Sequence, residues 1–171
     1  MREAQPDFRF EQLRAHHDRE SFTCGVPALD HYLHRQARQD ARKNVAAVYV
    51  LTSDGKQVAG YYTLSHFSVE LDSLPEATAR RLPKYPQVPA TLVGRLAISS
   101  AFRGQGLGEL LLMDALKRSL DGSKRIASAA VIVDAKDGAA VGFYKKYGFL
   151  QLIGIANRLF LPMATIENMF G

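Results

Sequence analysis

Cysteine is almost missing from this chain. Cys24 is the single one, which excludes an intramolecular disulfide and leaves too few ligands for a cysteine-based zinc site. No apolar run approaches the roughly 20 residues that a membrane-spanning helix needs, so no membrane association is expected. Residues 1–6 read Met-Arg-Glu-Ala-Gln-Pro, polar and acidic rather than apolar. That argues against a secretory leader and makes a cytoplasmic location the default. Low-complexity tracts and internal repeats are absent too. What remains is an ordinary globular composition, 47% hydrophobic and 23% charged, in 171 residues. Such a chain suits one domain, residues 1–171, around one sizeable core.

Acidic groups are outnumbered, 17 against 22 basic ones, for a formal charge of +5. Solubility alone would account for that. So would a polyanionic partner, whether a coenzyme with several phosphates or a nucleic acid. Charge does not separate them.

The order of elements is mixed α/β. Phe8-Arg9-Phe10 suits a first strand. Residues 27–44 read as a helix, with Pro27 in the first turn and Leu29, Tyr32, Leu33, Ala37 and Ala41 at helical spacing. Residues 45–51 read as a strand, and Asp54-Gly55 as the hairpin turn into a return strand over 57–65. Residues 66–71 extend the sheet. Pro75, Pro83, Pro86 and Pro89 make 74–89 a loop, with at most a short helix between Pro75 and Leu82. A strand over 90–98, a glycine-rich turn, a helix over 106–120 and a strand over 126–135 form a crossover, which implies a parallel pair. A helix over 137–147, ended by Gly148, and strands over 149–155 and 158–163 close the chain.

The turn Arg103-Gly104-Gln105-Gly106-Leu107-Gly108 lies between a strand and a helix. The first amides of a helix have no internal partner, and the dipole makes that end positive. Glycine lets a phosphate come close to the backbone. The alternative is a helix start whose glycines serve only turn geometry. A Walker loop is excluded because no Lys follows Gly108, and the spacing is not that of a dinucleotide fingerprint.

Arg103, Gly106 and Gly108 match the Arg/Gln-x-x-Gly-x-Gly/Ala pattern of the GNAT acetyltransferase superfamily. Phe143-Tyr144-Lys145-Lys146-Tyr147-Gly148-Phe149 resembles that family's Phe-Tyr-x-x-x-Gly-Phe stretch. The resemblance covers most of residues 45–163. The resemblance implies a GNAT fold, a mixed central β-sheet flanked by helices, with acetyl-CoA as cofactor. It places Leu96, Ala97, Ile98, Arg103, Gly104, Gln105, Gly106, Leu107, Gly108, Phe143 and Tyr144 around the cofactor. Narrower stretches are similar to one subgroup: Phe22-x-Cys24-Gly25, Leu29-Asp30-x-Tyr32-Leu33, Gly94-Arg95-Leu96-Ala97 and Asn157-Arg158-Leu159-Phe160. That subgroup is the GNAT toxins of toxin–antitoxin pairs, which acetylate aminoacyl-tRNA and block translation. The resemblance implies a ribbon-helix-helix antitoxin and a homodimer. The alternative is a metabolic acetyltransferase for a small amine or a protein N-terminus, with no antitoxin.

Transfer needs a neutral amine, a polarised thioester and a proton for the departing thiolate. Tyr144 is the candidate general acid, since a phenol stays protonated at neutral pH; otherwise it is a core aromatic. An α-amino group with a reference pKa near 8 needs no strong base. Asp134 and Asp137 lie near the expected cleft and are candidate carboxylates there. Arg95, alone in an apolar strand, should meet a carboxylate or point to a cleft where it touches substrate or tRNA. Arg80, Arg81 and Lys84, and separately Arg38 and Arg42 with Arg35 and Lys43, are either solvated faces or tRNA contacts. His16-His17 and His31-x-x-His34 lack a convincing ligand set, so no metal is expected.

Overall fold

The computed structural model describes residues 7–171. Residues 1–6, on which the expected absence of a secretory leader rests, lie outside the described residues. Seven strands form one sheet in the order β1-β2-β3-β4-β5-β7-β6. The chain gathers into two compact units: the described residues up to 63 with 95–113, and residues 64–94 with 114–171.

The first unit opens with β1 (Arg9–Gln12), antiparallel to β2 (Ala47–Thr52) with Phe10 opposite Leu51. Between them the expected helix is present but not uniform. It runs as α1 (Pro27–His31), a π turn (Tyr32–Gln36) and α2 (Ala37–Arg42). Asn44 then takes a left-handed φ of 58°, which ends the run. Tyr32, Leu33 and Ala37 are buried with Phe22, Val48, Val50, Tyr61 and Ala97, and Ala41 packs against them. The hairpin turn forms as the Asp-Gly pair dictates. Asp54 Oδ1 accepts the amides of Lys56 and Gln57 at 2.8 Å each, and Gly55 has φ +81°. The return strand starts later than its pattern suggests and is one piece, β3 (Gly60–Glu70). Gly60 has no room for a side chain: a Cβ would stand 3.0 Å from the Ala97 carbonyl oxygen.

In the second unit the prolyl segment carries a 3-10 turn (Leu71–Ser73) and α3 (Glu76–Ala79), the short helix expected after Pro75. The next strand, β4 (Gln87–Ile98), starts earlier than expected and includes Pro89. A proline fits because its carbonyl still bonds, here to the Ala129 amide at 2.8 Å. The crossover is α4 (Leu107–Ser123), anchored by buried Leu107, Leu111, Leu112, Ala115, Leu116 and Leu120. It leads to β5 (Ala130–Asp134), parallel to β4 with Leu92 opposite Ile132. The expected start at 126 fails because the Ile126 amide still bonds back to Gly122. Next come α5 (Gly138–Lys146), the two-residue β6 (Leu150–Gln151) and β7 (Arg158–Pro162). The last element, α6 (Met163–Phe170), begins where the sequence pattern suggested a strand end.

Candidate active site

The glycine-rich turn is built as its sequence demands. After β4 a 3-10 turn (Ser100–Phe102) leads to Arg103, and α4 begins at Leu107. Gly104 and Gly106 have φ of +80° and +73°, conformations that side chains resist. A Cβ at either would meet nothing within 4 Å, so the space before the turn is open. Arg103, Gly104, Gln105 and Gly106 are exposed while Leu107 is buried and pins the helix start. The first amide to reach back is that of Leu110, to the Gly106 carbonyl at 3.4 Å. The amides of Leu107, Gly108 and Glu109 therefore have no helical acceptor. Open space, positive-φ glycines and free amides at a helix N-terminus fit a diphosphate.

The end of β4 leads into this turn. Its register with β5 covers Thr91–Val93, and the strand continues to Ile98. Ala97 is buried, while Leu96 and Ile98 are half-buried. Arg95 lies on the same face as Val93 and Ala97. Its guanidinium carbon sits 3.6 Å from the centroid of the Tyr32 ring, so its partner is an aromatic face rather than a carboxylate. The Tyr32 hydroxyl donates to Asp40 Oδ2 at 2.9 Å, and Gln36 Nε2 donates to the other oxygen at 2.9 Å. Burial, with the Asp40 hydrogen bond, pushes the Tyr32 phenol well above its ordinary value, against the opposing pull of Arg95. Sequence reasoning missed Tyr32 as the seat of Arg95, because the π turn that carries it leaves no mark in the residue pattern.

Tyr144 lies in α5 and is 5% exposed. Phe143 and Phe149 pack edge-on at 5.3 and 5.4 Å. Burial first, and the negative charge of Asp134 second, push its phenol well above the ordinary value. The two carboxylates considered in the sequence are both engaged. Asp134 takes Arg158 at 2.7 and 3.3 Å, and Asp137 caps α5 by accepting the Ala140 amide at 2.8 Å.

A family model described as an acetyltransferase (GNAT) domain matches residues 44–151. The chain belongs to the GNAT acetyltransferases. Among curated relatives of this acetyltransferase is the probable toxin TacT of Sinorhizobium fredii, 32% identical over 163 residues, 91% of this chain and 90% of that protein. A tRNA-acetylating toxin of Mycobacterium tuberculosis is 34% identical over 129 residues, 75% of this chain and 76% of that one. The solved structure of AtaT complexed with acetyl-methionyl-tRNAfMet has a TM-score of 0.90 at 32% identity, over 96% of this chain and 100% of that one. A tyrosine-to-phenylalanine mutant of AtaT, bound to the C-terminus of the antitoxin AtaR and acetyl-CoA, has a TM-score of 0.83 at 30% identity, over 96% and 98%.

The acetyltransferase carries its remaining candidate residues on two separate segments. Arg80, Arg81 and Lys84 are exposed on the segment after α3, where Arg80 pairs with Glu76 at 2.5 Å. Tyr85 follows at 69% exposure. Sequence reasoning passed over it, although an exposed aromatic ring beside basic side chains is a surface on which a base can stack. On α2, Arg42 is exposed and Arg38 half-buried. His34 and His17 have structural partners. His34 Nε2 lies 2.7 Å from the Phe22 carbonyl oxygen. Glu11, His16 and His17 bring ligand-type atoms within 4.8 Å of one another. However, His17 Nδ1 accepts the Arg14 amide and its Nε2 meets Glu11 at 2.9 Å, so both ring nitrogens are in use.

Proposed function

We propose that this GNAT acetyltransferase is a toxin that moves the acetyl group of acetyl-CoA onto the α-amino group of aminoacyl-tRNA and so stops translation. The observation that carries the cofactor half is the open Gly104–Gly106 turn at the N-terminus of α4. The acceptor half is supported by likeness to a tRNA-acetylating toxin over 75% of the chain and to the structure of AtaT with acetyl-methionyl-tRNAfMet over 96% of it. Residues 1–171 act as one catalytic domain in this reading.

Acetyl-CoA supplies an activated thioester. The chain's residues do the rest. Amides from Gly104 to Gly108 grip the diphosphate, with the backbone of Arg103 leading in. Backbone groups of Leu96, Ala97 and Ile98 line the pantetheine arm and face the thioester oxygen, where one such donor is worth about 3 kcal/mol in the transition state. Phe143 flanks the cofactor. The new C–N bond forms as the C–S bond breaks. The amine gives its proton to water, and the Tyr144 hydroxyl gives one to the departing sulfur. Arg95 faces the acceptor side from its seat on Tyr32. Arg38 and Arg42, and Arg80, Arg81 and Lys84 with Tyr85, take up tRNA phosphates and an unstacked base.

A ribbon-helix-helix antitoxin, a homodimer and a cytoplasmic location complete the proposal. The antitoxin has a counterpart in the AtaT complex with AtaR. Among the described residues no helix is long and apolar enough to cross a membrane.

The deciding experiment is mass spectrometry of total charged tRNA after incubation with the protein and acetyl-CoA. N-acetylated aminoacyl esters are expected, and a cell-free translation extract should stop only when both are present. Unmodified esters from a protein that demonstrably binds acetyl-CoA would sink the toxin reading. Replacing Arg80, Arg81 and Lys84 together by Ala should weaken tRNA binding for all sequences alike. It should also flatten the salt dependence by about one unit of slope for each phosphate that is no longer neutralised. Tyr85→Ala should cost about 1–3 kcal/mol of affinity with little change in that slope. Anisotropy titrations against tRNA at several salt concentrations read both. An unchanged slope in the triple variant would remove this segment from the interface.

A further inference from the structure

We propose that Arg103 is a positioning residue whose side chain ties the cofactor turn to the acceptor side of the site. It does so through the Thr23-Cys24-Gly25 turn, and the proposal rests on the reading that the Gly104–Gly106 turn holds acetyl-CoA. Two hydrogen bonds sew the segment before the cofactor turn to residues 23–24. The Ser100 amide donates to the Thr23 carbonyl at 2.8 Å, and the Arg103 guanidinium donates to the Cys24 carbonyl. Gly25 forms the seat for this guanidinium. It has φ +83°, and a Cβ there would stand 2.9 Å from Arg103 Nη2. The conformation favours glycine at that position, and an added Cβ would press on the end of the Arg103 side chain and make it shift.

The same turn is held from its other side by Asp30. Its Oδ1 accepts the Cys24 amide at 2.8 Å, and its Oδ2 accepts the Thr23 hydroxyl at 3.2 Å. Asp30 stands in α1, whose helical run continues into the π turn, and Tyr32 is the first residue of that turn. The Tyr32 ring carries Arg95, and Arg95 lies on β4, which runs back into Ser100 and Arg103. The contacts thus close a ring: cofactor turn, Arg103, Cys24, Asp30, Tyr32, Arg95 and back along β4. Every member lies in the first compact unit. A shift of the cofactor turn on gripping a diphosphate must be carried to Tyr32 and Arg95 or must break the Arg103 bond. A charged donor on a carbonyl is among the stronger hydrogen bonds, so the ring moves as one piece.

A phosphate ligand and a strut differ in what their loss affects. For the strut, Arg103→Ala should leave the acetyl-CoA dissociation constant within about threefold of wild type by calorimetry. It should lower kcat/KM for charged tRNA by about 10–100-fold, the loss of one charge-assisted bond. Arg103→Lys, which still offers a donor to the Cys24 carbonyl, should recover most of that. Gly25→Ala removes the seat without touching the cofactor turn and should reproduce the Arg103→Ala signature. Circular dichroism melting checks that each variant is folded. Acetyl-CoA should also slow amide hydrogen exchange across residues 22–32 in the wild type and not in Arg103→Ala. An acetyl-CoA affinity that falls in step with kcat/KM would make Arg103 a direct phosphate ligand and overturn the strut. Normal kinetics in Gly25→Ala would overturn it as well. If the wild type leaves charged tRNA untouched, the toxin reading fails. The exchange experiment needs only acetyl-CoA and still decides the strut: protection of 22–32 that ignores the cofactor refutes it.

Discussion

Tyr144→Phe is expected to lower turnover by about 100-fold or more while leaving the affinity for acetyl-CoA nearly unchanged. The substitution removes one oxygen. The ring keeps its edge-on contacts with Phe143 and Phe149, so the fold of α5 has no reason to change. The phenol's raised pKa bears on this in two directions. Burial and the Asp134 charge hold the proton more tightly, which makes the hydroxyl a weaker acid toward a thiolate. A thiolate held against the Tyr144 hydroxyl would be penalised by the same surroundings, because desolvation and a nearby carboxylate disfavour any anion. At the reference values, near 10 for a phenol and about 8.5 for a thiol, this proton transfer is uphill by about 2 kcal/mol. The raised Tyr144 value must therefore be offset by an equal rise at the sulfur or by the favourable acyl transfer itself. The sign also fixes the pH profile. A value raised in the folded protein keeps Tyr144 protonated past pH of about 10, where an ordinary tyrosine ionises. Turnover should show no falling limb from this residue below that pH. Stopped-flow measurements of thiol release against pH check both statements. A full rate in Tyr144→Phe would remove the residue as the acid. A limb near pH 9 that vanishes in the variant would contradict the raised value.

The parts of the fold that follow from local chemistry were legible in the sequence, and those that follow from distant contacts were not. Asp54-Gly55 dictated its own turn, whereas the capping role of Asp137, read in the sequence only as a carboxylate near the cleft, emerged from the structure. The crossover length implied the β4–β5 parallel pair that is present. The glycines between β4 and α4 marked a place where the backbone lies open to a phosphate, and a Cβ at Gly104 or Gly106 would indeed meet nothing within 4 Å. By contrast, Tyr32 and Arg95 meet only in three dimensions, and neither flanking sequence names the other. The seat of Arg103 is a main-chain carbonyl, and carbonyls have no signature in a residue pattern. A π turn in a run with no Gly or Pro is invisible to helical spacing, because the same buried positions serve both windings. Helix α6 escaped notice because it buries only Met163 and Ile166 and starts without a capping side chain. Pro86 and Pro89 masked the first turn of β4, where alternation of buried Val88 and Ala90 with exposed Pro89 was the available cue.

Gly106→Val should abolish measurable binding of acetyl-CoA and, with it, all transfer. The cost does not arise from a collision inside the protein, since a Cβ at Gly106 meets nothing within 4 Å. It arises twice elsewhere. At φ +73° a β-branched residue is strained by about 1–2 kcal/mol or more, so the backbone tends to leave the conformation that lines up the amides. If the conformation survives, two methyl groups stand in the open space that a diphosphate would fill. Gly106→Ala separates the two contributions, because it carries most of the conformational strain with a single methyl of bulk. Calorimetry should therefore rank the affinities wild type, then Ala, then Val. The Leu107 anchor is untouched, so α4 should stay folded and the melting temperature should fall by no more than the strain predicts. Acetyl-CoA binding by Gly106→Val at wild-type strength would mean that the diphosphate is held somewhere other than this turn, and the cofactor assignment would fall with it.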